Sequence, residues 1–163
     1  MKITHYFLAI TIGFFMASCG SEPKEQTEST ETHTDHQHSE MEIDGPALPK
    51  VDASARVFFA NLKNGDKVKS PVLVKMGVEG IQVEPAGELK DGFGHHHILI
   101  NMDSFPKGEA IPMDSVHLHF GKGQTETELN LPKGDYKLTM QFADGMHRSY
   151  GNQLSSTIVV TVE

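Results

Sequence analysis

The stretch Leu131-Pro132-Lys133-Gly134-Asp135-Tyr136-Lys137-Leu138-Thr139-Met140-Gln141-Phe142 decides the fold class. A Pro-Lys-Gly-Asp turn leads into strict alternation, which puts Tyr136, Leu138, Met140 and Phe142 on one face. Period-two alternation after a turn marks a half-buried strand. The same texture extends outward in both directions. Downstream, Thr157 to Val162 turns Ile158, Val160 and Val162 to one side. Upstream, Gln124 to Leu131 alternates, Val116 to Phe120 reads as a strand or an extended loop, and His95 to Asn101 is a strand. Further back, Ile81 to Glu84 is a short strand. Pro71 to Val78 places Val72, Val74, Met76 and Val78 on one face. Arg56 to Leu62 is the first strand, stopped by Asn64-Gly65-Asp66.

No stretch has sustained helical periodicity. Seven or eight short strands in a little over 100 residues predict an all-β fold, an immunoglobulin-like antiparallel sandwich, with a small β-barrel as the alternative. The turn followed by Tyr136 resembles the entry to a late strand in such sandwiches.

The first residues read differently. Lys2 precedes an apolar run from Tyr6 to Ala17, too short to span a bilayer but of the length of a secretory h-region. The run ends in Met16-Ala17-Ser18-Cys19. Small residues before a single cysteine resemble the lipobox of bacterial lipoproteins. That resemblance implies a signal peptide over residues 1–18, cleavage before Cys19 and lipidation of the cysteine, with the acyl chains anchoring the chain in a membrane. The alternative is an ordinary secreted chain with one free thiol. Localisation in the cell envelope follows, on a periplasmic or outer-membrane face.

Charge is unevenly distributed. Residues 20 to 55 hold nine acidic side chains against Lys24 and Lys50, leaving 13 acidic and 11 basic from Arg56 onward. A segment so poor in large apolar residues cannot offset its ordering entropy by burial. Residues 19–54 are therefore expected to be an acidic tether, and residues 55–163 the folded domain. The nearly neutral domain has no basic nucleic-acid face. Cys19 is the only cysteine, so the domain holds together by packing alone or with help from a metal.

Histidines carry the strongest chemical signal. The tether contains Thr32-His33-Thr34-Asp35-His36-Gln37-His38, a tract read as a solvated linker with weak metal affinity as the alternative. The domain contains His95, His96, His97, His117, His119 and His147. Alternation puts His95 and His97 on one face of their strand and His96 on the other. His117 and His119 likewise share a face. Two His-x-His pairs on neighbouring strands bring four imidazoles to one patch, a ligand set for zinc or copper. His147, after the Asp144-Gly145 turn, is an additional ligand from a loop, and His96 an alternate if a bulge at Gly94 reverses the faces. Met102, Met113 and Met146 lie nearby in sequence, and thioether sulfur favours copper(I). The competing reading is a structural network in which the imidazoles bond buried backbone groups. Gly121-Lys122-Gly123 lacks the spacing of a phosphate loop, and no serine lies in a nucleophile elbow.

Val83-Glu84-Pro85-Ala86-Gly87, Gly94-His95-His96-His97-Ile98-Leu99-Ile100 and His117-Leu118-His119-Phe120-Gly121-Lys122-Gly123-Gln124-Thr125-Glu126 together resemble the bacterial domain of unknown function 4399 family. The similarity runs from about Phe58 to Val162, and Asn64 to Pro71 resembles the family's opening. It implies a fold neighbourhood and an exported location. The chain departs from the family's pattern after Asp144, where it keeps His147 and gains Met146 and Arg148. Three functions are therefore in view: a metal-binding module for sequestration or delivery, an envelope interaction module, and a metal-assisted hydrolase.

Overall fold

The computed structural model describes residues 45–163. These form an all-β sandwich of nine strands: β1 Arg56–Phe59, β2 Lys67–Val68, β3 Val72–Glu79, β4 Gln82–Val83, β5 Phe93–Ile100, β6 His117–His119, β7 Glu126–Leu129, β8 Gly134–Ala143 and β9 Ser155–Val162. The strands divide between a three-stranded sheet, ordered β1-β3-β7, and a six-stranded sheet, ordered β2-β9-β8-β5-β4 with β6 also paired to β5. All eight strands expected from alternation are present. The additions are β2 and a single 3-10 turn over Gly151–Leu154.

Pairing is not wholly antiparallel, as the sequence led us to expect: β2 runs parallel to β9, and β4 parallel to β5. The Asn64-Gly65-Asp66 turn accounts for the first of these. Asn64 Oδ1 accepts the Val159 N–H at 2.8 Å and the Gly65 N–H donates to the Val159 carbonyl at 2.7 Å, which lays the chain beside β9.

Each sheet turns one apolar face inward. Val57, Phe59, Val72, Val74, Met76 and Leu129 meet Ile98, Leu138, Met140, Phe142, Ile158 and Val160 in one continuous core. Each of the fully buried members contributes about 1.5–3 kcal/mol through removal from water.

The outer face of β5 and β8 is buried as well. Residues 101–116 and 144–154 lie over it as a cap, and a second small cluster of Leu99, Ile111 and Ala143 packs beneath, joined by Met102 and Phe105. Polar side chains of β8 pin this cap. Thr139 donates to the Met102 carbonyl at 2.8 Å. The Gln141 amide donates to the Phe142, Gly151 and Leu154 carbonyls, and its oxygen accepts the Phe105 N–H at 3.0 Å. Every polar atom of this buried glutamine is thereby satisfied.

The ordered body reaches back further than the boundary at residue 55 expected from composition. The Pro46 and Ala47 carbonyls accept from the Arg148 guanidinium, the Lys50 N–H donates to Asp91 at 2.7 Å, and Val51 packs on the core. The expected signal peptide, Cys19 and the His33–His38 tract lie outside the described residues.

Candidate functional site

β5 enters the sheet through Gly94, where a Cβ would collide with the Ala143 carbonyl and the Phe142 ring. From there the strand alternates without a bulge. His95, His97 and Leu99 point outward beneath the cap, while His96 and Ile98 point to the core. On the neighbouring β6, His119 lies opposite His97 and His117 opposite Leu99. Each of His95, His97 and His119 offers one nitrogen, and these three atoms lie within 4.8 Å of one another. The Nε2 atoms of His95 and His97 are 3.1 Å apart.

His147 closes the group from the cap. Its ring centroid lies 5.1 Å from that of His95, 4.7 Å from His119 and 6.1 Å from His97. The remaining three separations are 5.0, 5.1 and 5.0 Å for the pairs 95–97, 95–119 and 97–119. Imidazoles radiating from one tetrahedral ion with bonds of about 2.0–2.1 Å have centroids about 5 Å apart and donor nitrogens about 3.4 Å apart. The rings of His95, His97 and His119 fit that arrangement and their donor nitrogens converge, whereas His147 lies against His95 and His119 by ring centroid without a nitrogen inside the same 4.8 Å set.

The backbone holds His147 in an unusual conformation. Its φ is 67°, in the left-handed region that a bulky residue seldom adopts. Buried Asp144 makes this turn by accepting the Met146 and Arg148 N–H groups, each at 2.9 Å. Arg148 neutralises the same carboxylate with Nε at 2.8 Å and a second nitrogen at 2.7 Å. Gly145 is required because a Cβ there would strike the Glu88 carbonyl. A Cβ at Gly121 would likewise run into the His119 imidazole.

Burial controls the protonation of the cluster. Desolvation pushes His95 down to about 3 and His97 to about 2, with repulsion from neighbouring imidazoles adding to both. His119 is lowered too, by desolvation and then by His147. His95, His97 and His119 are thus held toward the neutral form, the form that coordinates a metal. His95 Nδ1, His97 Nδ1 and His119 Nε2 are buried without a hydrogen-bond partner, in contrast with Gln141 on the same face.

The expected quartet His95, His97, His117 and His119 differs from the structure at one corner. His117 lies one rung beyond the cluster, beside the Phe105 ring at 5.9 Å, and pairs with Asp114. His147 takes its place. His96, the alternate, faces the core against Phe142 with ring centroids 5.1 Å apart, and burial pushes it down to about 4. Both its nitrogens lack partners, so orphaned nitrogens alone do not define the site; convergence does. Met102 packs in the second cluster, whereas Met113 and Met146 are exposed.

Fold and site together define a small all-β module with a convergent imidazole cluster on the capped face of one sheet. The chain belongs to the family described as Domain of unknown function (DUF4399), whose profile matches residues 74–163. The match begins at β3, so β1 and the Asn64–Pro71 segment precede it. No curated protein and no solved structure matches the chain.

Proposed function

We propose that this protein is an exported lipoprotein whose sandwich binds one transition-metal ion, zinc or copper, through His95, His97, His119 and His147. The observation that carries the reading is the mutual spacing of the four rings, 4.7–6.1 Å between centroids, contributed by three separate segments. A hydrogen-bonded structural network would use the ring nitrogens on backbone or side-chain partners; His119 Nε2 has none, and the Nε2 atoms of His95 and His97 have each other, 3.1 Å apart. His95, His97 and His119 supply three converging donors, and with His147 as the fourth the imidazoles would fill a tetrahedral shell. Catalytic zinc sites keep one position for water, so a shell completed by His147 favours holding or delivering a metal over hydrolysis. An all-nitrogen set suits zinc and copper alike.

Elemental analysis of the purified protein tests the reading directly, with a stoichiometry near one expected. Added zinc should also raise the melting temperature of metal-free protein, because the ion binds the folded form. The double variant His97→Ala, His119→Ala should lose that rise while its metal-free form stays folded. An unchanged rise would remove this site from consideration. A variant that unfolds regardless of metal would instead favour the envelope interaction module with structural histidines.

The anchor rests on the Ala17-Ser18-Cys19 junction after a short apolar run. Cys19→Ala should shift the protein from the membrane to the soluble fraction. Normal processing and membrane retention of that variant would contradict the lipid anchor.

A further inference from the structure

β6 and β7 are outer strands of different sheets, and an open groove of about 490 Å³ runs between them. Met113, Asp114, His117, His119 and Glu128 line it, and among the described residues no lysine or arginine does. One of these residues is a member of the imidazole cluster. The groove therefore joins solvent to the cluster through His119, which is partly exposed, while His95 and His97 are fully buried.

His117 is built into this groove in a particular way. The carboxylate of Asp114 lies 2.9 Å from His117 Nδ1 through each of its oxygens, and also accepts the Val116 and His117 N–H groups at 2.8 and 2.9 Å. An ionised carboxylate only accepts, so Nδ1 is the donating nitrogen, and in the neutral ring Nε2 is the nitrogen free to bind a cation. A carboxylate on one ring nitrogen is the usual support of a metal-binding histidine, since it fixes the tautomer and raises the basicity of the other nitrogen. Here that other nitrogen, Nε2, is buried without a partner, on a side chain whose residue is only 9% exposed. His117 shares a strand face with His119 two residues away, about 7 Å along the strand.

We infer that the groove between β6 and β7 is the entry route for a divalent cation, and that His117, oriented by Asp114, is the ligand that first captures it before transfer to the cluster through His119. The inference rests on the metal-binding reading above and adds a path and a kinetic ligand to it. Two carboxylates with no opposing cation draw the ion toward the mouth. Asp114, the more exposed partner, then presents a preformed nitrogen donor one step from the cluster. Exchange of one imidazole donor for another moves the ion inward without full dehydration.

Stopped-flow loading of the metal-free full chain with zinc(II), followed by a chromophoric zinc chelator, tests this. Asp114→Asn and His117→Ala should each slow loading by about 10-fold, in keeping with the loss of a steering charge or capture ligand. Release should slow equally, leaving the stoichiometry and the equilibrium affinity unchanged, because both variants alter the path and not the end state. Loading at the wild-type rate in both variants would overturn the inference. So would loss of equilibrium binding in His117→Ala equal to that in His119→Ala, which would make His117 a resident ligand. Asp114→Asn keeps the shape of the turn and carries the test if His117→Ala does not fold. A wild-type chain that takes up no zinc refutes the metal-binding reading itself, and is seen before any variant is compared.

Discussion

A histidine kept neutral by burial makes a fold sensitive to acid, and this domain has three with no exposed surface. His95, His96 and His97 are held at about 3, 4 and 2 when folded, each first by desolvation, against about 6.5 in an unfolded chain. Between those limits the unfolded chain binds protons that the folded one refuses, so unfolding becomes easier as pH falls. The full stability is present above about pH 6.5. Each neutral ring then removes up to about 1.4 kcal/mol per pH unit, or about 4 kcal/mol per unit for three together. Urea unfolding of metal-free protein should therefore show stability dropping steeply from pH 6.5 toward pH 4.5. Equal midpoints at pH 7 and pH 5 would mean that these rings are not buried in neutral form.

At the scale of single elements, the Asp144–Arg148 turn is the device that brings His147 to the cluster. Its carboxylate has no exposed surface and its guanidinium very little. Removing one partner of such a pair leaves the other buried and uncompensated, at a cost of about 3–5 kcal/mol. Asp144→Asn should lower the unfolding free energy by that amount and weaken zinc binding, because the turn that holds His147 loses its charge. Wild-type stability by denaturant titration would show that the turn is held by other means. Sequence patterning reached the strands well, because alternation of Tyr136, Leu138, Met140 and Phe142 reports burial directly. It also separated His96 from His95 and His97. It placed His117 in the cluster because alternation fixes a face but not a register. Only the pairing of His119 with His97 and of His117 with Leu99 shows that β6 extends past the histidines of β5. The role of Asp144 was hidden for a similar reason: its partners are backbone N–H groups, which leave no pattern in a sequence. The groove depends on two sheets meeting at their edges, and no local signal records that.

In the molecule as a whole, three cluster histidines belong to the sheet and one to its cap, so a bound ion would tie the two together without a disulfide. Composition alone put the end of the tether near residue 54. The carbonyls of Pro46 and Ala47 on Arg148, and Lys50 on Asp91, move the start of the packed body to about residue 46. Proteases cut where backbone is exposed and unbonded, so limited digestion should yield a resistant core beginning near residue 45, not near residue 55. Mass spectrometry of the fragments reads this boundary directly. A core starting after Lys50 would mean that the segment on Arg148 opens readily. Zinc should then change a second set of cuts. Residues 101–116 and 144–154 form the cap, and opening it requires pulling His147 away from His95 and His119. If an ion joins those rings, opening must also break a metal bond, and cleavage in the cap should slow as zinc is added. Among the described residues the N-terminal boundary reaches the cluster only through Arg148, on the Pro46 and Ala47 carbonyls, so zinc should slow its cleavage less than cleavage in the cap. Equal cap cleavage in both conditions would show that the cap is not fastened through the histidines. Zinc protection that persists in His147→Ala would show that any bound ion acts through the sheet histidines alone.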